Sequence, residues 1–252
     1  MRKKKKNSFP VKPALLLSAA AVLLLGSTVG STRAALTIYS EDYTAQVSMS
    51  NIGVALVEND ETVSQQTYGV DASSEGTLLK NMVPEDQKFT PGYPYTEKLQ
   101  VQNTGDIDTF VRVILTRSWQ KDTNGDGTPD TKDTELSPSL IDLNLLKDTG
   151  WVVADDGEVD YSDEHIVLYY TKALAPEGVS EPLSDVIRIS PEIAQSVKVG
   201  EDGKYEYVYN GYGFCLEAEV DAVQTHNAAD AIKSAWGVDV TVSDDGSTIT
   251  LQ

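Results

Sequence analysis

Residues 95–119, YTEKLQVQNTGDIDTFVRVILTRSW, decide the fold class. Over residues 95–102, Leu99 and Val101 alternate with Lys98, Gln100 and Gln102, the period-two pattern of a strand with one buried face. Asn103, Thr104, Gly105 and Asp106 are turn residues. Alternation resumes over 109–119, with Phe110, Arg112, Ile114 and Thr116 on one face and Val111, Val113 and Leu115 on the other. Two such runs around a short turn predict an antiparallel hairpin.

The same signal extends in both directions. Upstream, residues 45–57 (AQVSMSNIGVALV) are rich in β-formers, and Glu58, Asn59 and Asp60 close them with turn chemistry. Residues 58–92 are polar and carry no clean period. Downstream, a helical turn is predicted within 137–146, nucleated by Ser137 and Pro138. Strands follow at 151–153, 165–171, 186–189, 205–209 and 213–223, separated by turns such as Asp155-Asp156-Gly157 and Asp202-Gly203. A short helix fits 228–236, opened near Asn227 and stopped by Gly237, and 238–242 with 248–251 form a last hairpin over Asp245-Gly246. Many short strands and one or two short helices predict an all-β chain folded as an antiparallel β-sandwich with an acidic loop insert.

The chain has 252 residues with 20 Lys+Arg against 39 Asp+Glu, a balance that excludes a nucleic-acid binder built on a basic surface. The bases are concentrated at the start. Residues 1–34 contain seven of them and no acid, and within them Arg2 to Lys6 precede an apolar run over 14–25, the order of a secretory signal. Thr32, Arg33, Ala34 and Ala35 place the cut after Ala34, within one residue, so 1–34 is predicted as the signal and 35–252 as one domain. A membrane association is expected only through an uncleaved signal. A single cysteine, Cys215, excludes an internal disulfide.

Several short blocks carry a resemblance. Gly30-Ser31-Thr32-Arg33-Ala34-Ala35 leads into Tyr39-Ser40, Asn51-Ile52-Gly53-Val54 and Leu56-Val57-Glu58-Asn59. Pro91-Gly92 precedes Glu97-Lys98-Leu99-Gln100-Val101-Gln102-Asn103-Thr104-Gly105 and Phe110-Val111-Arg112-Val113, and Glu217-Ala218-Glu219-Val220-Asp221-Ala222-Val223-Gln224 lies near the end. Together they resemble the TasA and camelysin group, exported proteins of Gram-positive bacteria processed by a SipW-type signal peptidase. The resemblance implies a jelly-roll-like sandwich and a secreted, extracellular or cell-surface location. It also implies self-association into extracellular-matrix (biofilm) fibres, each subunit giving an N-terminal strand to the next. Such strand addition satisfies the unpaired N–H and C=O groups of a sheet edge. The acidic insert at 121–135 departs from the fibre protein's pattern.

That insert has calcium-loop spacing. Asp122, Asn124, Asp126, Asp130 and Asp133 stand at positions 1, 3, 5, 9 and 12, Gly127 at position 6, and Thr128 would add its carbonyl at 7. A structural Ca2+ needs six to eight oxygens, and alternate side chains on a tightly turning loop converge to supply them. Asp133 in place of the usual Glu shortens the last reach, so a modest affinity is expected. The same residues also suit an ordinary Asx-rich hairpin tip.

Catalytic chemistry has little material. Camelysin-type metallopeptidase activity is the rival implied by the resemblance, yet the chain has two histidines, His165 and His226, and no His-Glu-x-x-His motif. Cys215 sits among Glu217 and Glu219, a poor setting for a thiolate nucleophile. Tyr205, Tyr207 and Tyr209 share one face of a strand, suited to packing or to a carbohydrate or protein ligand. The expectation is a secreted, non-enzymatic structural protein of the cell surface or matrix, a fibre subunit or accessory, with a monomeric surface binding module as the further alternative.

Overall fold

A computed structural model describes residues 51–252 apart from 69–72, 75, 81, 85, 86, 127, 135, 155–157, 200–203 and 210. The predicted signal, residues 35–50 including the first part of the predicted 45–57 strand, and the turns 155–157 and 202–203 lie outside the described residues. The fold is an all-β sandwich of antiparallel sheets.

The strands are β1 (Gly53–Glu58), β2 (Glu61–Thr67), β3 (Ser73–Ser74), β4 (Tyr95–Asn103), β5 (Thr109–Lys121), β6 (Thr131–Asp133), β7 (Ile141–Leu145), β8 (Trp151–Val153), β9 (His165–Tyr170), β10 (Ser184–Ile189), β11 (Val197–Val199), β12 (Tyr205–Tyr207), β13 (Tyr212–Gln224), β14 (Val240–Val242) and β15 (Ile249–Leu251). Two short helices, α1 (Glu192–Gln195) and α2 (Ala228–Trp236), complete the set. Sheet one has the order β3-β2-β1-β4-β10-β7, and sheet two has β13-β5-β9-β8, with β6 beside β5. Two ribbons, β11–β12 and β14–β15, stand apart.

Asn59 and Asp60 both adopt positive φ, 51° and 71°, the mirror-image turn that matches strand twist, and so β1 folds straight back onto β2. This strand lies in the stretch where the sequence shows no period. Its burial pattern explains why, since most of its side chains are exposed or half-buried.

The expected hairpin between residues 95–102 and 109–119 does not form. β4 pairs with β1 and β10, whereas β5 pairs with β13 and β9, so the turn at 104–108 carries the chain from one sheet to the other. Both apolar faces then look into the same core: Leu99 and Val101 from one side, Val111, Val113 and Leu115 from the other, all fully buried. A hairpin would have left those faces side by side in one sheet. Asn103 secures the crossing, donating its side-chain amide to the carbonyls of Ile107 and Leu174, each at 2.8 Å, and accepting Gly105 N–H at 2.9 Å.

The helical turn expected within 137–146 shrinks to one 3-10 turn, Pro138–Leu140, which Ser137 caps before the chain continues as β7. The helix at 228–236 forms as expected. Ala228, Ile232 and Trp236 recur every four residues and bury against Phe110, Tyr169 and Val223 on the outer face of sheet two. Gly237 stops it with φ 77°, and its N–H donates to the Lys233 carbonyl. Asn227 precedes it in a left-handed conformation without a side-chain capping bond.

Arg117 is the one buried cation in the core of the described residues. Its alternation phase on β5 is that of Val113, Leu115 and Trp119, which points it between the sheets. Its guanidinium donates to the carbonyls of Ile141 (2.9 Å), Tyr161 (3.2 Å) and Asp163 (2.9 Å), and lies 5.6 Å over the Tyr161 ring.

Candidate functional site

The acidic loop is the tip of a hairpin. β5 runs out to Lys121 and β6 returns antiparallel, pairing Lys121 with Thr131 and Trp119 with Asp133. Within the tip, Asp122, Asn124 and Asp126 each accept from a nearby backbone N–H. Gly125 N–H donates to Asp122 Oδ1 at 2.7 Å, Asp126 N–H to Asn124 Oδ1 at 2.9 Å, and Thr128 N–H to Asp126 Oδ1 at 2.8 Å. These bonds fix one oxygen of each of the three side chains.

Of the six sequence-predicted ligands, the structure brings three together closely. The Asn124 amide nitrogen lies 3.1 Å from Asp126 Oδ2 and 3.5 Å from Asp130 Oδ2. A positively polarised N–H group thus lies between two carboxylates. Asp122 is adjacent through the Gly125 turn, and Thr128 is held by Asp126. Asp133 sits on β6, where its oxygens accept from Leu136 N–H at 3.1 Å and Tyr212 hydroxyl at 3.3 Å. Gly127 lies outside the described residues. Among the described residues, no group of three or more His, Cys, Asp or Glu side chains is gathered as a metal site.

The second feature was not legible as a site in the sequence. Sheet one carries β2 and β3 outside β1, while β1 packs against β13, the last strand of sheet two. Sheet one therefore overhangs. β13 pairs along all of its 13 residues with β5, and among the described residues nothing pairs with its other edge. Beside that edge runs a groove of about 710 Å³, with Val54, Leu56 and Leu79 on one side and Phe214, Leu216 and Val220 on the other. A long strand edge next to an apolar trough has the shape of a missing strand. The sequence signal was the alternation in β13, which gives its apolar face but not the absence of a neighbour.

The remaining candidates are scattered. His165 opens β9 and its Nδ1 lies 2.9 Å from Thr116 Oγ1 across the ladder, while His226 lies in the connection between β13 and α2. Cys215 borders the groove half-buried, and burial together with Glu217 pushes its thiol up, away from the reactive thiolate. The Tyr stripe divides: Tyr205 is exposed on β12, whereas Tyr209 lies beyond the strand and packs on Trp119 and Tyr212. Among the described residues, no helix is long and apolar enough to cross a membrane.

Comparison with protein-family profiles, with curated proteins and with solved structures finds no match to this chain.

Proposed function

We propose that the chain is an exported structural protein of the cell surface or extracellular matrix, and that it self-associates by accepting a strand along β13. The observation that carries this reading is the unpaired edge of β13 beside its apolar groove. An incoming strand there would extend sheet two under the overhang of β2 and β3, gaining backbone hydrogen bonds and covering Phe214, Leu216 and Val220. Residues 36–50 are the donor that the resemblance to the TasA and camelysin group implies, and the export blocks at 30–40 support processing by a SipW-type peptidase.

Calcium has a secondary, structural role in this reading. One ion in the 122–133 loop would replace the Asn124 amide between Asp126 and Asp130 and stiffen the β5–β6 hairpin. Its position matters because Asp122 N–H donates to the Gly211 carbonyl at 2.8 Å, at the entry to β13.

The test is light scattering of purified mature protein at high concentration with salt and calcium, beside a form lacking residues 36–50. Mature protein should grow into assemblies and the shortened form should stay folded and small. A monomeric mature protein, or equal assembly by both forms, overturns the reading. Casein cleavage by the same preparation would instead point to the peptidase rival.

A further inference from the structure

Glu97 is a carboxyl group inside a hydrophobic core. It lies on β4 in phase with Leu99 and Val101, is 0% exposed, and neither of its oxygens receives a hydrogen bond from an N–H or hydroxyl donor among the described residues. An ionised carboxylate so placed has lost its water and gained nothing in return. Another carboxyl shares that sheet face: Glu58, at the end of β1, stands opposite Leu99 in the ladder and so one diagonal step from Glu97. Glu58 in turn accepts the N–H of Leu79 at 2.6 Å. Leu79 has φ 62°, a left-handed backbone unfavourable for a leucine, and it lines the groove beside β13. The N–H of a strained residue is thus held by a carboxyl that stands diagonally across the ladder from an orphaned one.

Other charges around Glu97 are engaged elsewhere. Lys98 of β4 points to the opposite face and binds Asp60 of the β1–β2 turn at 2.6 Å. On β10, Arg188 pairs with Asp142 of β7 at 2.5 Å, Asp185 accepts from Asn144, and Ser184 gives its hydroxyl to the Glu97 carbonyl at 2.8 Å. The Tyr95 hydroxyl takes Thr90 N–H at 2.7 Å. Across the core, the charge neighbours of Arg117 are Tyr161 and Asp142. On the facing segments Lys80 is exposed, and Glu217 and Glu219 of β13 are exposed acids that add no positive charge. Among the described residues Glu58 is the charge that acts on Glu97.

We infer that Glu97 and Glu58 share one proton, and that this shared proton latches the Leu78–Leu79 wall of the groove to sheet one. Glu97 O–H donates to one Glu58 oxygen while the other Glu58 oxygen accepts Leu79 N–H. When the proton leaves to solvent, two carboxylates face each other in a medium of low dielectric. Glu58, which is partly exposed, turns to water, releases Leu79 and lets its backbone relax. Burial first, and the charge of Glu58 second, push the Glu97 carboxyl up to about 8, so the latch is closed at neutral pH and opens in mild alkali. Its effect on assembly rests on the strand-acceptor reading of the groove, whereas the latch itself does not.

The purified mature protein tests this directly. Infrared spectra should show a protonated carboxyl band at pH 7 that fades by about pH 9 and is missing in Glu97→Gln. Amide exchange should show Leu79 losing at least about tenfold in protection over the same range, with no such loss in Glu97→Gln, whose amide still donates to Glu58. Glu58→Ala should lower Leu79 protection at every pH. The inference is overturned if the band is absent at pH 7, if calcium removes it there and so marks the pair as a cation site, or if Leu79 protection follows pH equally in wild type and Glu97→Gln. Assembly is read separately by scattering: a protein that never assembles counts against strand acceptance and leaves the latch standing.

Discussion

The hydroxyl of Tyr212 donates to Asp133 Oδ2 at 3.3 Å, joining the first residue of the open-edged strand to the last residue of the acidic loop. Lys121 lies 5.4 Å over the same ring, and Tyr212 pairs with Lys121 in the β13–β5 ladder. The loop and the entry of the edge strand are therefore one mechanical unit, and whatever orders the first also orders the second.

Calcium titration of the mature protein should show one site with a dissociation constant on the order of 10⁻⁴ to 10⁻³ M, the range of extracellular modules. Asp122→Ala and Asp126→Ala should each abolish it. Calorimetry that finds unchanged binding in both variants assigns the ion elsewhere. Where the ion binds, amide exchange at residues 211–214 should slow along with the loop.

Assembly should respond to salt. With all 39 acids against 13 bases after residue 34, copies repel one another, and screening acts over a Debye length of about 8 Å at physiological strength. Growth measured by scattering should be slow at low ionic strength and quicken as salt is added. Growth that slows with salt would mean that attraction between charges, not strand addition along β13, drives contact.

Arg117→Ala should be among the most damaging single changes in the core. It leaves the carbonyls of Ile141, Tyr161 and Asp163 without their donor and opens a void between the sheets. A loss of about 3 kcal/mol is expected in urea unfolding, from the lost packing and the orphaned buried Ile141 carbonyl, with the partly buried Tyr161 and Asp163 carbonyls adding less because water reaches them. Arg117→Lys should recover only part, because one ammonium cannot span three carbonyls set by a planar fork. Full stability in Arg117→Lys would show that charge alone suffices.

Glu97 fixes the sign of one pH dependence. Its carboxyl titrates near 8 in the fold and near 4.5 when free, so between those values the folded chain holds a proton that the unfolded chain has lost. Stability from this group is therefore complete below about pH 4.5 and falls by up to about 1.4 kcal/mol per pH unit until the folded value is passed. Glu97→Gln should match wild type near pH 5 and exceed it at pH 8. Parallel stability curves for the two proteins would sink the assignment.

Much of the fold follows from local pattern. Alternation in 95–102, 109–119 and 213–223 marks strands because a half-buried strand must repeat every two residues, and the Ala228, Ile232, Trp236 spacing with Gly237 marks α2 for the same kind of reason. β2, β6 and β11 escaped because their side chains are mostly exposed or half-buried, which removes the periodic contrast that a sequence can display, whereas β7 does alternate, with Ile141 and Leu143 buried, but is only five residues long and follows directly on the Ser137-Pro138 turn signal. The acidic loop was legible as oxygen donors at fixed spacing, but the pull of Tyr212 on Asp133 was not. That contact spans 79 residues.

The sequence by itself determined that these residues form strands and which face of each is apolar, since both depend on neighbours along the chain. Only the tertiary structure decided which strands are partners. The turn at 104–108 is compatible with a hairpin or with a crossing, and burial of Leu99 and Val101 against Val111, Val113 and Leu115 selects the crossing. Glu97 shows the same division. Its phase with Leu99 was readable, but its isolation from the cations among the described residues depends on where Lys98, Arg117 and Arg188 find other partners, a property of three-dimensional packing that no local pattern encodes.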